Sequence, residues 1–178
     1  RLLPNIEFAR GLVQAAAIAK ASPRVEACLL ASEDLAADLG ADRGRDGLEL
    51  AYARQRFLVE CVAAGVAAVD APYTWRDAEG VERDTRWARR LGYRAKSVVD
   101  PAHAAIVNRV LTPSADEVAH ARRLIAAFES SRERGEPRAE LAGSLVEVPA
   151  WLGAQRLLAR AAELADAHPT PAARRTGP

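Results

Sequence analysis

Apolar residues along the chain fall into short unbroken runs, separated by longer stretches with helical spacing. Four runs, Leu2 to Glu7, Val25 to Ala31, Val66 to Asp70 and Ala95 to Asp100, are rich in Val, Ile, Leu and Ala and lack strict polar alternation. That pattern predicts strands buried on both faces, as in a parallel sheet. The intervening segments read as helices. Gly11 to Lys20 is alanine-rich and stops before Ser22-Pro23, and Gly47 to Ala64 is followed by Gly65 as a C-cap. Glu82 to Arg90 is amphipathic and ends at Leu91-Gly92. Glycine just past the last helical residue is a common stop signal. The order β-α-β-α-β-α-β, with short connections, predicts an α/β fold built on a parallel sheet.

Beyond Asp100 the pattern is helical. Pro101 to Asn108 predicts a short helix. Ser114 and Glu117 have the spacing of a capping box, and Val118, Ala121, Ile125 and Phe128 then share one helical face. Ser130 to Arg138 contains Gly135 and Pro137 and reads as a linker, and Leu141 to Pro149 as short and irregular. Trp151 to Leu164 predicts a last amphipathic helix, and His168 to Pro178, with three prolines, a frayed tail.

Composition narrows the class. With 49% hydrophobic and 28% charged residues, the 178-residue chain has ample apolar surface for a core. Its net charge of +1, from 25 basic and 24 acidic residues, leaves no electrostatic footprint for nucleic acid or an anionic membrane. Apolar runs stay well below the roughly 20 residues of a membrane span. Cys28 and Cys61 fit neither a disulfide framework nor a zinc ligand set, so buried thiols in the cytoplasm are expected. The sequence lacks methionine and opens on Arg1-Leu2-Leu3-Pro4, which predicts a segment of a longer protein.

The chemistry is suggested by position. Every expected strand ends at or near a carboxylate: Glu7, Glu33-Asp34, Asp70 and Asp100. In barrels and open parallel sheets alike, sites form at the C-terminal strand ends. Several carboxylates on one rim repel each other unless a cation intervenes. Magnesium suits such a place, because it takes one or two carboxylates plus water and substrate oxygens. The competing explanation is helix capping, since acids are favoured at helix N-termini. Spacing does not choose the metal-binding pair. His103, His120 and His168 flank no nucleophile, and the glycine-rich stretch Gly40 to Gly47 lacks phosphate-loop spacing.

Specific stretches go further. Ile6-Glu7-Phe8-Ala9-Arg10-Gly11 and Ala31-Ser32-Glu33-Asp34-Leu35-Ala36-Ala37-Asp38-Leu39-Gly40-Ala41 resemble the citrate lyase beta subunit and its malyl-CoA, methylmalyl-CoA and citramalyl-CoA lyase relatives, within the HpcH/HpaI aldolase group. The likeness continues through Glu49 to Arg54, Ala68 to Tyr73, Asp77 to Gly80, Leu91-Gly92-Tyr93 with Lys96, Asn108, and Pro113-Ser114 with Glu117. The resemblance implies a TIM (β/α)8 barrel, which needs about 200 residues or more. Residues 1–129 would be its C-terminal half, strands five to eight, followed by a linker at 130–140, a helical lid at 141–166 and a disordered tail at 167–178.

It also implies magnesium held by Glu7 and Asp34, and substrate contacts at Ser32, Glu33, Asp34, Asp70 and Pro72. The reaction implied is cleavage of a 3-hydroxyacyl-CoA to an acyl-CoA and a 2-oxo acid, in a homotrimer or hexamer. The family's lid pattern, Gly-x-Met-x-Asp-x-Pro, becomes Gly143-Ser144-Leu145-Val146-Glu147-Val148-Pro149, which makes Glu147 the counterpart of a catalytic aspartate donated to a neighbouring subunit. The chain departs from the family at Glu147, at Asp100 where a histidine is usual, and at Ala31 and Ala95 where glycine is common. Those departures keep two alternatives in view: a non-catalytic acyl-CoA-binding or scaffolding paralogue, and an aldolase acting on free 2-oxo acids.

Overall fold

The structure, a computed structural model, describes residues 1–136 and 138–167. Its internal contacts divide the chain after Leu111 into two compact units. The expected boundary lay at residue 129; the break falls earlier because the helix opened by Ser114 packs chiefly on later segments of the chain.

The first unit alternates strands and helices: β1 (Asn5–Ile6), α1 (Ala9–Leu12), α2 (Ala15–Lys20), β2 (Ala27–Leu30), α3 (Ser32–Leu39), α4 (Ala51–Ala64), β3 (Ala67–Asp70), α5 (Ala78–Leu91), β4 (Ala95–Lys96) and α6 (Ala104–Leu111). Single 3-10 turns precede α4 and α6. The strands pair in parallel in the order β1-β2-β3-β4. Register sets Ile6 against Leu30, Leu29 against Val69, and Asp70 against Lys96. In β2, Cys28 and Leu30 are sealed while Ala27 and Leu29 are half-buried. Burial on both faces, the sequence expectation, is therefore not met in this chain: helices cover one face and leave the other partly open.

Helix α4 shows why the core forms where it does. Leu50, Ala53, Phe57 and Cys61 recur at helical spacing and join Cys28, Leu30, Leu35 and Tyr93 in one apolar cluster. Gly65, at φ 75°, ends the helix in the left-handed conformation that side chains disfavour. The expected helix from Gly11 to Lys20 is broken at Val13-Gln14. Its second piece starts anew with the Ala16 amide donating to Glu60 of α4 at 3.3 Å.

The second unit holds α7 (Ala115–Glu133), β5 (Ala139–Leu141), β6 (Ser144–Val146) and α8 (Val148–Ala167). Ser114 and Glu117 form the full capping box, at 2.7 and 3.2 Å. Helix α7 runs four residues into the expected linker, and β5 and β6 form an antiparallel hairpin where irregular chain was expected. Its two-residue turn takes Ala142 at φ 51° and Gly143 at φ 80°, the left-handed pair that suits the twist of a tight hairpin. Phe128 of α7 stacks on Trp151 of α8 at 5.3 Å. The expected tail, beyond Ala167, lies outside the described residues.

Candidate active site

The rim of the parallel sheet separates the carboxylates that sequence reading had grouped together. Asp70, the last residue of β3, is 0% exposed. Register places it beside Lys96 of β4, and Arg54 reaches it from α4. Arg54 grips it with two parallel bonds, Nε to Oδ1 at 2.9 Å and Nη2 to Oδ2 at 2.6 Å. Lys96 Nζ donates to the same Oδ2 at 2.8 Å and to the Ala71 carbonyl at 2.5 Å. Asp84 of α5 closes the group, 2.7 Å from Arg54 Nη1 and 2.5 Å from Lys96 Nζ. Two cations and two carboxylates thus neutralise one another almost out of water. The Arg54 guanidinium lies 4.3 Å over the Trp87 ring, and Tyr93 Oη donates to the Arg54 carbonyl at 2.6 Å.

Burial by itself would favour neutral forms here. For Arg54 it is outweighed by the charge and hydrogen bonds of Asp70 and Asp84, which raise its pKa. For Asp84 it is outweighed by Lys96 and Arg54, which hold the carboxyl below its ordinary range. Among the residues lining the space beside this cluster are Ser32, Gly47, Pro72 and Tyr73, and that space amounts to about 10 Å³, room for one water. Asp70, expected to contact substrate, is therefore engaged by protein cations.

The other acids have different duties. Asp100 caps the 3-10 turn before α6, accepting from the Ala102 amide at 2.9 Å. Glu33 accepts from Thr74 Oγ1 at 2.8 Å and from Arg43 Nε at 3.1 Å. Glu7 follows β1, is half-buried, and takes one bond from the Asn5 amide group. Asp34, in the first turn of α3, is exposed and has no hydrogen-bond or ion-pair partner among the described residues. The Ala31 amide donates to the Ile6 carbonyl at 3.0 Å, so Glu7 and the Ser32 to Asp34 turn leave neighbouring strand ends.

Ser32 is buried, with Oγ donating to the Pro72 carbonyl at 3.4 Å. Helix α3 has no side-chain N-cap, so the amides of Ser32, Glu33 and Asp34 have no acceptor within the helix. Among the described residues no group of three or more His, Cys, Asp or Glu could hold a metal. Two carboxylates with open water positions are nonetheless the donor set magnesium accepts, and Glu7 with Asp34 fits it in number and hardness.

In the second unit, Glu147 has no hydrogen-bond or ion-pair partner for its carboxylate among the described residues. It lines a cavity of about 400 Å³ with Phe128, Arg132, Arg138 and Val146. No helix among the described residues is long and apolar enough to cross a membrane.

A parallel α/β sheet with carboxylates and an uncapped helix start at its C-terminal edge defines the class, an α/β protein of the kind that builds its sites at the strand ends. The chain belongs to the HpcH/HpaI aldolase/citrate lyase family, whose profile matches residues 1–101. It is 38% identical to citrate lyase subunit beta of Leuconostoc mesenteroides subsp. cremoris, over 93% of this chain and 56% of that protein. It is 33% identical to the mitochondrial citramalyl-CoA lyase of Mus musculus, over 92% of this chain and 51% of the relative. A crystal structure of CitE from Mycobacterium tuberculosis, in complex with magnesium, acetoacetate and coenzyme A, superposes with a TM-score of 0.75 at 31% identity. That match covers 90% of this chain and 60% of that one. The chain spans about half the length of the curated relatives it matches.

Sequence reading missed the partners of Asp70. An arginine on the apolar stripe of α4 was the available signal, since Arg54 stands at the buried spacing of Ala53, Phe57 and Cys61.

Proposed function

We propose that the intact protein is a magnesium-dependent carbon–carbon lyase, cleaving a 3-hydroxyacyl-CoA of the malyl, citramalyl or citryl type to an acyl-CoA and a 2-oxo acid. The observation that carries this is the sorting of the rim acids. Asp70, Asp100 and Glu33 are each engaged by protein donors, while Asp34 stands without a partner at an uncapped helix start. Glu7 stands at the end of the adjacent strand. In this reading the four strands are the second half of a (β/α)8 barrel, and the half-covered face of β2 looks into its interior. Residues 141–166 form a lid that serves a neighbouring subunit of a homotrimer or hexamer.

Glu7 and Asp34 hold the magnesium ion, which when bound supplies positive charge for the oxygen that becomes negative during cleavage. The open amides of Ser32 to Asp34 bind the carboxylate of the oxo acid. Ser32 ties the Pro72 carbonyl beside them and Lys96 ties the Ala71 carbonyl, so Asp70, through Lys96, positions this segment without touching substrate. The hydroxyl proton leaves to a base as the C2–C3 bond breaks. The bonding electrons pass into the thioester as an enolate, and a proton returned to C2 gives the acyl-CoA. Glu147 is the carboxylate that exchanges this proton.

The test uses the protein with its upstream half. Glu7→Gln and Asp34→Asn are expected to abolish magnesium-dependent release of acyl-CoA while leaving the circular dichroism spectrum unchanged. Turnover that survives a chelator refutes the metal assignment. Binding of thioesters without turnover identifies the non-catalytic paralogue instead.

A further inference from the structure

Glu33 and Asp34 are consecutive acids in one helical turn, yet their surroundings differ sharply. Successive residues on an α-helix point about 100° apart, and here the divergence is held by two contacts to Glu33. Glu33 Oε1 receives Thr74 Oγ1 at 2.8 Å and Arg43 Nε at 3.1 Å. Arg43 is itself immobilised: its Nη1 donates to Glu49, and its guanidinium lies 5.1 Å from the centre of the Trp75 ring. Its side chain is only 17% exposed, although Glu33 is 53% exposed. Trp75 in turn packs on Tyr73 at 5.1 Å. The loops after α3 and after β3 therefore clamp one acid of the pair and leave its neighbour open.

We propose that Arg43 is a positioning residue for the cation site: with Thr74 it holds Glu33 away, so that α3 offers Asp34 alone to the metal. The physical reason is ligand count. A third carboxylate beside Glu7 and Asp34 suits calcium, which takes six to eight oxygens, better than magnesium, which holds to one or two carboxylates and keeps its waters. Arg43 thereby selects for magnesium without touching it. The inference rests on the metal assignment of Glu7 and Asp34.

The test measures cation binding to the full chain by calorimetry, with magnesium and calcium chloride, and needs no turnover. In Arg43→Gln, Glu33 is released. A unit charge arriving within about 6 Å of a divalent cation at a solvated rim changes affinity by about tenfold. Both cations gain this Coulomb attraction, and calcium, which takes the released carboxylate as an added ligand, is expected to tighten further, so the calcium-to-magnesium affinity ratio rises. Thr74→Val shifts the ratio the same way by less, and it decides the matter if the arginine variant does not fold. The double variant Arg43→Gln with Glu33→Gln restores the wild-type ratio, which a merely structural role for Arg43 would not do. An unchanged ratio in both single variants, or a shift that persists in the double variant, overturns the proposal. If the wild-type chain takes up neither cation, the magnesium assignment falls with it; binding with unmoved ratios removes only the role of Arg43.

Discussion

Replacing Arg54 by methionine keeps an unbranched apolar stem, shortens it by the guanidinium and removes its charge. Arg54 donates to Asp70 at 2.9 and 2.6 Å and to Asp84 at 2.7 and 3.3 Å. Without it the cluster keeps two carboxylates and one cation, Lys96. Removing one partner from a buried ion pair costs about 3–5 kcal/mol, because a charge is left uncompensated. The guanidinium's contact over Trp87 is lost as well, and this adds to the cost. At about 4 °C per kcal/mol for a unit of this size, Tm falls by roughly 12–20 °C.

The pH dependence gives a sharper check. The Asp84 carboxyl is depressed in the folded state. Its stabilisation is therefore fully present above the ordinary value of 3.8 and is lost as the pH falls through the lower folded value. In the variant Arg54 no longer depresses Asp84, its folded pKa rises, and protonation relieves the unpaired charge. The gap between the two proteins is widest near neutrality and narrows toward about pH 4. Urea unfolding followed by far-UV circular dichroism at both ends of this window measures it. A loss below about 1 kcal/mol near neutral pH, or a gap that stays constant with pH, refutes the reasoning.

Gly80→Ala would set a Cβ 1.9 Å from Tyr73 Oη and 2.4 Å from Asp77 Oδ1. It therefore breaks the Asp77 cap of α5 and lowers stability by about 1–3 kcal/mol despite alanine's better helix propensity; an unchanged Tm contradicts this. Cys28 and Cys61 are fully buried, and burial pushes the Cys61 thiol up to about 12. A disulfide thiol reagent at mildly alkaline pH is expected to leave both untouched until denaturant is added, and rapid labelling of the folded chain would exclude this core. Ser114→Ala removes one bond of the capping box and costs about 1 kcal/mol, read as loss of α7 helicity on warming.

The strand and helix order was legible because local signals agree with it. Gly65 and Gly92 stop α4 and α5, and Ser114 with Glu117 starts α7. The β5–β6 hairpin was hidden because its turn is Ala142-Gly143, without the Asn-Gly or Asp-Gly signature of such turns. At the site, the acids were visible as a group, but their separate duties were not. Asp70 meets Lys96 through strand register and Arg54 through helix packing, and neither relation is local in sequence. Arg43 lies in a loop, and what fixes it is Glu49 together with Trp75, the latter on a different loop.

The neutral quartet of Arg54, Asp70, Asp84 and Lys96 also constrains how this sequence changes over generations. Any single replacement strands a charge in the interior, whereas exchanging all four for well-packed apolar residues would be near neutral. The ground between those two states is a fitness valley. The four positions are therefore expected to be inherited as a block, with loss of the arginine surviving only in lineages that have given up an acid as well.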